Sequence, residues 1–203
     1  MDITQFFIIA FSVILVSNFV LAKFLGLCPF LGVTQRTDSA MGMGMAVTFV
    51  MFLASLVTYA LYRFVLIPQD LVMLKTPMFI LVIAALVQLV ELFLRSRVPA
   101  LYKALGIYLP LITTNCAVMG VSLLNTTDAP AQFAALSPGA GLVMASWRGA
   151  CAGVGFMVAM LLMSGVRERL AMVNVPVPLR GMPVAFICTS LMAMAFLGFT
   201  GMV

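Results

Sequence analysis

Long apolar runs separated by short polar breaks dominate the chain. A helix needs about 20 apolar residues to cross a hydrocarbon core about 30 Å thick. Six stretches come to about that length: Ile3–Ala22, Ala40–Tyr62, Thr76–Leu94, Ala104–Leu124, Gly141–Val166 and Pro183–Val203. The breaks hold Arg36-Thr37-Asp38, Pro68-Gln69-Asp70, Arg95-Ser96-Arg97, Asn125 to Pro130, and Arg167-Glu168-Arg169 through Gly181. The first run opens on Asp2 rather than a basic segment and is too long for a signal-peptide core, so it is expected to persist as a span. The pattern predicts an all-α integral membrane protein of six transmembrane helices.

Composition agrees. Of 203 residues, 64% are hydrophobic and 8% charged, whereas soluble domains carry roughly a quarter charged residues. The net charge of +5 comes from basic residues scattered singly between apolar runs, which fits a bilayer and not a nucleic acid. Sorted by break, Lys23, Arg36, Arg95, Arg97, Lys103, Arg167, Arg169 and Arg180 fall on one side and Arg63, Lys75 and Arg148 on the other. The basic side is expected to face the cytoplasm, with both termini outside.

The two halves of this single membrane domain resemble each other, with repeat one about 1–97 and repeat two about 98–203. Leu27-Cys28-Pro29-Phe30-Leu31-Gly32-Val33 and Asn115-Cys116-Ala117-Val118-Met119-Gly120-Val121 both read Cys-x-x-x-Gly-Val. Gly42-Met43-Gly44 and Gly153-Val154-Gly155 follow in the same order, then Pro77 and Pro183. Asn18 and Asn115 do not align relative to their cysteines. With three spans per repeat, the second enters the membrane from the opposite side. The expected architecture is two inverted three-helix repeats with broken or re-entrant segments at Cys28 and Cys116, where a site near the midplane is typical.

Histidine is absent, which excludes a Ser-His-Asp triad and histidine-ligated haem or zinc. Cys28, Cys116, Cys151 and Cys188 form no Cys-x-x-Cys pair. For Cys28 and Cys116 three readings stand at this point: buried packing residues, a disulfide, or a metal or cluster site. A [2Fe–2S] cluster needs four ligands, usually thiolates, and this chain offers two at matching places. A partner with the same pattern would have to supply the others. Its negative charge would need compensation from helix starts and free backbone N–H groups, with Gly26, Gly32 and Gly120 allowing close approach.

Asn18-Phe-Val-Leu-Ala-Lys-Phe-Leu-Gly-Leu-Cys28-Pro-Phe-Leu-Gly-Val33, Ile112-Thr-Thr-Asn-Cys-Ala-Val118 and Val166-Arg-Glu-Arg-Leu170 resemble one family over almost the whole chain. It is the RnfA/NqrE family, membrane subunits of the Rnf ion-translocating electron-transport complex and of the related sodium-translocating NADH:quinone oxidoreductase. The Leu-Cys-Pro-Phe and Thr-Thr-Asn-Cys forms favour the Rnf branch. The resemblance implies a [2Fe–2S] cluster shared with a homologous six-helix partner of opposite topology, with Cys28 and Cys116 as this chain's iron ligands. It implies NADH/ferredoxin electron transfer coupled to Na+ or H+ movement across a bacterial inner membrane. Flavins and other iron–sulfur centres belong to sister subunits, and no catalytic residue or complete active site is expected here. The stretch from Asn125 to Arg148 looks longer than the family pattern, and Cys151 and Cys188 fall in no motif.

Other residues carry plainer expectations. Glu91 has Arg95 one turn on, an interfacial i,i+4 pair, with ion passage as the sharper alternative. Arg167-Glu168-Arg169 is expected to be a topology anchor, with docking of a soluble partner as the alternative, and Arg148 to lie at the outer interface beside Trp147. Met41, Met43 and Met45 read as packing residues, and Ala40, Gly42 and Gly44 as a close-approach surface. Thr113, Thr114 and Asn115 would either bond cluster sulfurs or repair broken backbone pairing. The rival functions are a small secondary transporter without a redox role and a structural scaffold.

Overall fold

The computed structural model describes residues 3–69, 71–97, 109–127, 138–174 and 176–199, and every regular element among them is helical. Helix α1 (Ile3–Phe11) continues through a π-helical turn (Ser12–Val16) and stops at Ser17. The chain then passes through an irregular stretch into a short helix, α2 (Leu27–Val33), which carries Cys28. The expected continuous span Ile3–Ala22 is thus broken. Asn18 makes the break tolerable in an apolar setting, where every backbone polar group needs a partner. Buried to 1% exposure, it donates from Nδ2 to the carbonyls of Ile14 (3.1 Å) and Gly155 (2.9 Å). Its Oδ1 accepts the N–H of Val20 at 3.1 Å. Phe24 and Gly26, both at positive φ, turn the chain into α2.

Helix α3 (Thr37–Leu61, prolonged by a π-helical turn Tyr62–Leu66) is followed by a 3₁₀ turn (Val72–Leu74) and α4 (Lys75–Arg97). The second half begins with α5 (Leu109–Thr113) and α6 (Cys116–Thr127), separated at Thr114 and Asn115. It continues with α7 (Pro138–Ala171), a 3₁₀ turn (Val177–Leu179) and α8 (Met182–Leu197). The fourth expected span is therefore broken as well, immediately before Cys116.

The core is the long contact between α3 and α7. A Cβ added to Gly149 would sit 2.6 Å from Ser55 Cβ, at Gly153 2.6 Å from Thr48 Cα, and at Gly44 2.6 Å from Met157 Cγ. Small residues let the two backbones close up, as in membrane helix pairs generally. Contacts descend along α3 as they ascend along α7, so the two helices run antiparallel. Of the expected glycine surface, Gly44 takes this part directly and Ala40 is fully buried.

The outer helices are buried on one side only. In α4, Phe79, Ile83, Val87 and Val90 face the core while Ile80, Leu81, Leu89 and Leu92 are exposed. In α8, Ala185, Thr189 and Ala193 point inward and Phe186, Leu191 and Met194 outward. Such apolar exposure suits lipid contact, not water. Among the described residues, three helical stretches are long and apolar enough to cross a membrane, Thr37–Leu66, Val72–Phe93 and Gly139–Ala171, with Phe6–Val16 and Met182–Leu197 as shorter apolar helices.

Several expected breaks lie inside helices instead. Asp38 belongs to the first turn of α3, Arg95-Ser96-Arg97 to the end of α4, and Arg167-Glu168-Arg169 to α7. Asn125 is buried within α6. Polar residues do not stop a helix whose backbone is already paired, so charge alone misplaces these ends. Asp70, Lys103, the start of the fourth span at Ala104, residues 128–137 of the longer stretch, and the end of the sixth span at Val203 lie outside the described residues.

Candidate functional site

The two breaks meet. Gly26, at φ 82°, packs so closely that a Cβ there would lie 2.8 Å from Asn115 Oδ1, 2.9 Å from Phe156 Cε2 and 3.1 Å from Ala117 Cβ. One turn further along α6, Gly120 has Leu25 Cδ1 at 2.7 Å from the same imagined atom. The loop of the first break thus rests on the first two turns of α6. Phe156, and the Gly155 carbonyl that holds Asn18, lie half-way along α7, the longest of the described helices. The junction sits at mid-length of the bundle.

Both cysteines leave this junction at helix starts. Cys28 is the second residue of α2, and about 7 Å of backbone at most separates its Cα from that of Gly26. Cys116 is the first residue of α6. Asn115 caps that helix: its Oδ1 accepts the Ala117 N–H at 3.0 Å and its carbonyl that of Val118 at 3.1 Å, leaving its buried Nδ2 without a partner among the described residues. Through Oδ1 and its carbonyl, Asn115 repairs the backbone at the second break. Asn18 does the same at the first break, each asparagine accepting the N–H two residues on. The two do not align in sequence relative to the cysteines, yet they perform one task.

Cys28 and Cys116 are exposed thiols, while Cys151 is buried and Cys188 half-buried. Packing within this chain suits Cys151 (5% exposed), whereas Cys28 and Cys116 are exposed on it. Cys116 Sγ has only a 4.0 Å approach to the Thr114 carbonyl. Among the described residues, no group of three or more His, Cys, Asp or Glu side chains could hold a metal ion. The donor set is therefore two thiols presented outward, which fits half of a four-thiolate site completed by another chain.

The Arg167-Glu168 pair holds the cysteine-bearing segment in place. Arg167 Nη1 donates to the Leu31 carbonyl (2.7 Å) and to Thr34 Oγ1 (3.0 Å), and Thr34 in turn donates to the Phe30 carbonyl. Glu168 Oε1 accepts the backbone N–H of Thr37 at 3.1 Å and its hydroxyl, capping α3. Thr37 also meets Ser164 at 2.9 Å. The expectation of a topology anchor misses this inward-facing work, because the partners lie more than 130 residues away.

The remaining candidates have simpler places. Glu91 is half-buried within α4, with Arg95 exposed one turn on. Trp147 donates from Nε1 to the Phe6 carbonyl at 3.3 Å and meets the Phe6 ring edge-on, tying α7 to α1. Met43 is fully buried while Met41 and Met45 are exposed, as spacing by two on a helix dictates. One polar seam escaped the sequence reading: Asn125 donates to Ser55 Oγ, and Ser55 donates to the Ala145 carbonyl at 2.9 Å.

Fold and site together define an all-helical membrane protein whose two broken segments converge, each delivering one outward-facing thiol. Residues 6–203 match the family described as Rnf-Nqr subunit, membrane protein, and the chain belongs to that family. It is 50% identical over 200 residues to the A-type subunit of the ion-translocating oxidoreductase complex of Serratia proteamaculans (strain 568), covering 98% of each chain. The proteins of the same name from Salmonella arizonae and Citrobacter koseri are 49% and 48% identical over the same length, again with 98% of each chain covered.

Proposed function

We propose that this chain is a membrane subunit of an ion-translocating oxidoreductase, in which Cys28 and Cys116 supply half the ligands of an intramembrane [2Fe–2S] cluster. The observation that carries the proposal is the convergence of two exposed thiols on touching helix breaks, half-way along the bundle. A homologous subunit of opposite topology would supply the other two thiolates. When bound, the cluster supplies a one-electron station within the membrane, so that one long crossing becomes two shorter steps.

The chain's own residues prepare that place. Asn18 and Asn115 repair the backbone at the breaks, Gly26 and Gly120 bring the broken segments together, and Arg167 fixes α2 from behind. Cys116 stands at the first residue of α6, where the positive end of the helix dipole offsets negative charge. The antiparallel run of α3 and α7, each the long helix following its half's cysteine break, supports a six-span inverted repeat. In such a repeat equivalent helices point in opposite directions. The basic side then faces the cytoplasm of a bacterial inner membrane and both termini the periplasm. Electrons pass between NADH and ferredoxin, coupled to Na+ or H+ movement, with flavins and further iron–sulfur centres on sister subunits.

The test is iron content and electron paramagnetic resonance of the purified, reduced complex, comparing wild type with Cys28→Ser and Cys116→Ser. Loss of the same [2Fe–2S] signal in both variants, with assembly intact, supports the proposal. Survival of signal and activity in both would return the thiols to packing and bring an inverted-repeat transporter forward.

A further inference from the structure

A polar cavity and an apolar groove adjoin at the arginine-rich end of α7. The first, about 250 Å³, is lined by Gln35, Arg167 and Arg180 together with the opening turn of α8 at Gly181, Val184 and Ala185. The second is a shallow, open apolar groove along α7 itself, against Leu161, Leu162, Gly165, Val166 and Arg169. Leu170 and Val173 line both, so the two adjoin.

The shape has a direct chemical reading. The residues of the second chamber fall in pairs four apart, one stripe on one face of α7. From Leu161 to Leu170 that stripe rises about 14 Å at 1.5 Å per residue, close to the roughly 15 Å depth of one leaflet. Gly165 notches the stripe: a Cβ there would meet nothing within 4 Å. At its polar end stand three arginines, and among the described residues no acidic side chain lines either chamber. Glu168, the nearest acid in sequence, is held by Thr37. Arg169 and Arg180 have no side-chain hydrogen bond or ion pair with any described residue. Uncompensated cations above an apolar groove of leaflet depth call for an anion that carries a hydrocarbon tail.

We propose that this composite cavity binds one anionic phospholipid, its phosphate between Arg167 and Arg180 and an acyl chain along the α7 stripe over Gly165. The site is separate from the break junction and does not depend on the cluster reading. It ties Gln35, just before α3, to the start of α8 through a headgroup.

The test uses the purified, delipidated complex. Retention of phosphatidylglycerol from mixed micelles is measured by native mass spectrometry, against phosphatidylcholine and against inorganic phosphate as competitor. Arg169→Gln and Arg180→Gln remove charge without touching the Arg167 bonds to α2, and Gly165→Leu fills the notch while leaving all charge in place. The expected result is selective retention of phosphatidylglycerol, weakened about fivefold by each arginine change and also weakened by Gly165→Leu. Equal retention of phosphatidylcholine overturns the proposal. So does full displacement by millimolar phosphate with no effect of Gly165→Leu, which would mark a free-anion site. Loss of a sister subunit in Arg180→Gln would identify a subunit contact and overturn it too.

Discussion

Arg167 reaches from the last turns of α7 to the Leu31 main-chain carbonyl across 2.7 Å and to the Thr34 hydroxyl at 3.0 Å. The Leu31 carbonyl belongs to the closing turn of α2, whose last carbonyls have no partner within the helix. Arg167 is thus the outside support of the segment that carries Cys28.

Arg167→Met keeps much of the aliphatic stem and removes the donor. Leaving a largely buried carbonyl without its charged partner costs about 1–3 kcal/mol, and thermal unfolding of the purified complex should show the loss. Arg167→Lys, with a point charge in place of the planar fork, should recover part of it. Equal melting of all three forms would mean that α2 is held by its apolar contacts alone.

Gly26 makes a second, sharper case. It needs a positive φ, which costs an L-residue about 1–2 kcal/mol, and an added methyl would strike Asn115 Oδ1 and Phe156. Gly26→Ala should therefore destabilise the junction by more than the backbone term alone and disturb whatever signal Cys28 and Cys116 share. Gly139→Ala serves as the control, since its added Cβ meets nothing within 4 Å. If the two substitutions behave alike in thermal unfolding, the two breaks are not tightly packed on each other.

These positions also show what the sequence could and could not convey. Both breaks were legible because their causes are local: Gly26 and Pro29 around Cys28, and the Thr113-Thr114-Asn115 cluster before Cys116, interrupt apolar runs. The apolar helices were legible from length and composition. The ends of α4 and α7 were not, because Arg95 to Arg97 and Arg167 to Arg169 resemble a loop yet continue helices whose backbones stay paired. The π-helical turn at Ser12–Val16 leaves no trace, as its residues are as apolar as those before it. The work of Arg167 and Asn18 was hidden for another reason: their partners, Leu31 and Gly155, are brought to them only by the packing of α7.

Asn125 illustrates the same limit and carries its own expectation. Read as a loop residue, it lies 2% exposed and links Ser55 of α3 to the Ala145 carbonyl of α7. Hydrogen bonds between membrane helices contribute about 0.6 kcal/mol on average and at most about 1.7. Asn125→Leu should therefore lower the melting temperature modestly and leave electron transfer intact. A large fall in activity at unchanged stability would instead assign the Asn125–Ser55 seam to the ion path.

The exposure pattern of the four thiols yields a test that needs no spectroscopy of iron. Cys28 and Cys116 are exposed on this chain, Cys188 is half-buried and Cys151 buried. In membranes from cells lacking the homologous partner, a small membrane-permeant maleimide should modify Cys28 and Cys116 first, Cys188 more slowly, and Cys151 only on unfolding. In the assembled complex the first two should become protected together, because a shared site engages both sulfurs at one interface. Mass spectrometry of the digested protein reads each position separately. Protection of only one of the pair would mean that the partner covers a single break, and the two-plus-two ligand arrangement would fall. Protection of neither would mean that the partner covers neither break, with no metal between the subunits.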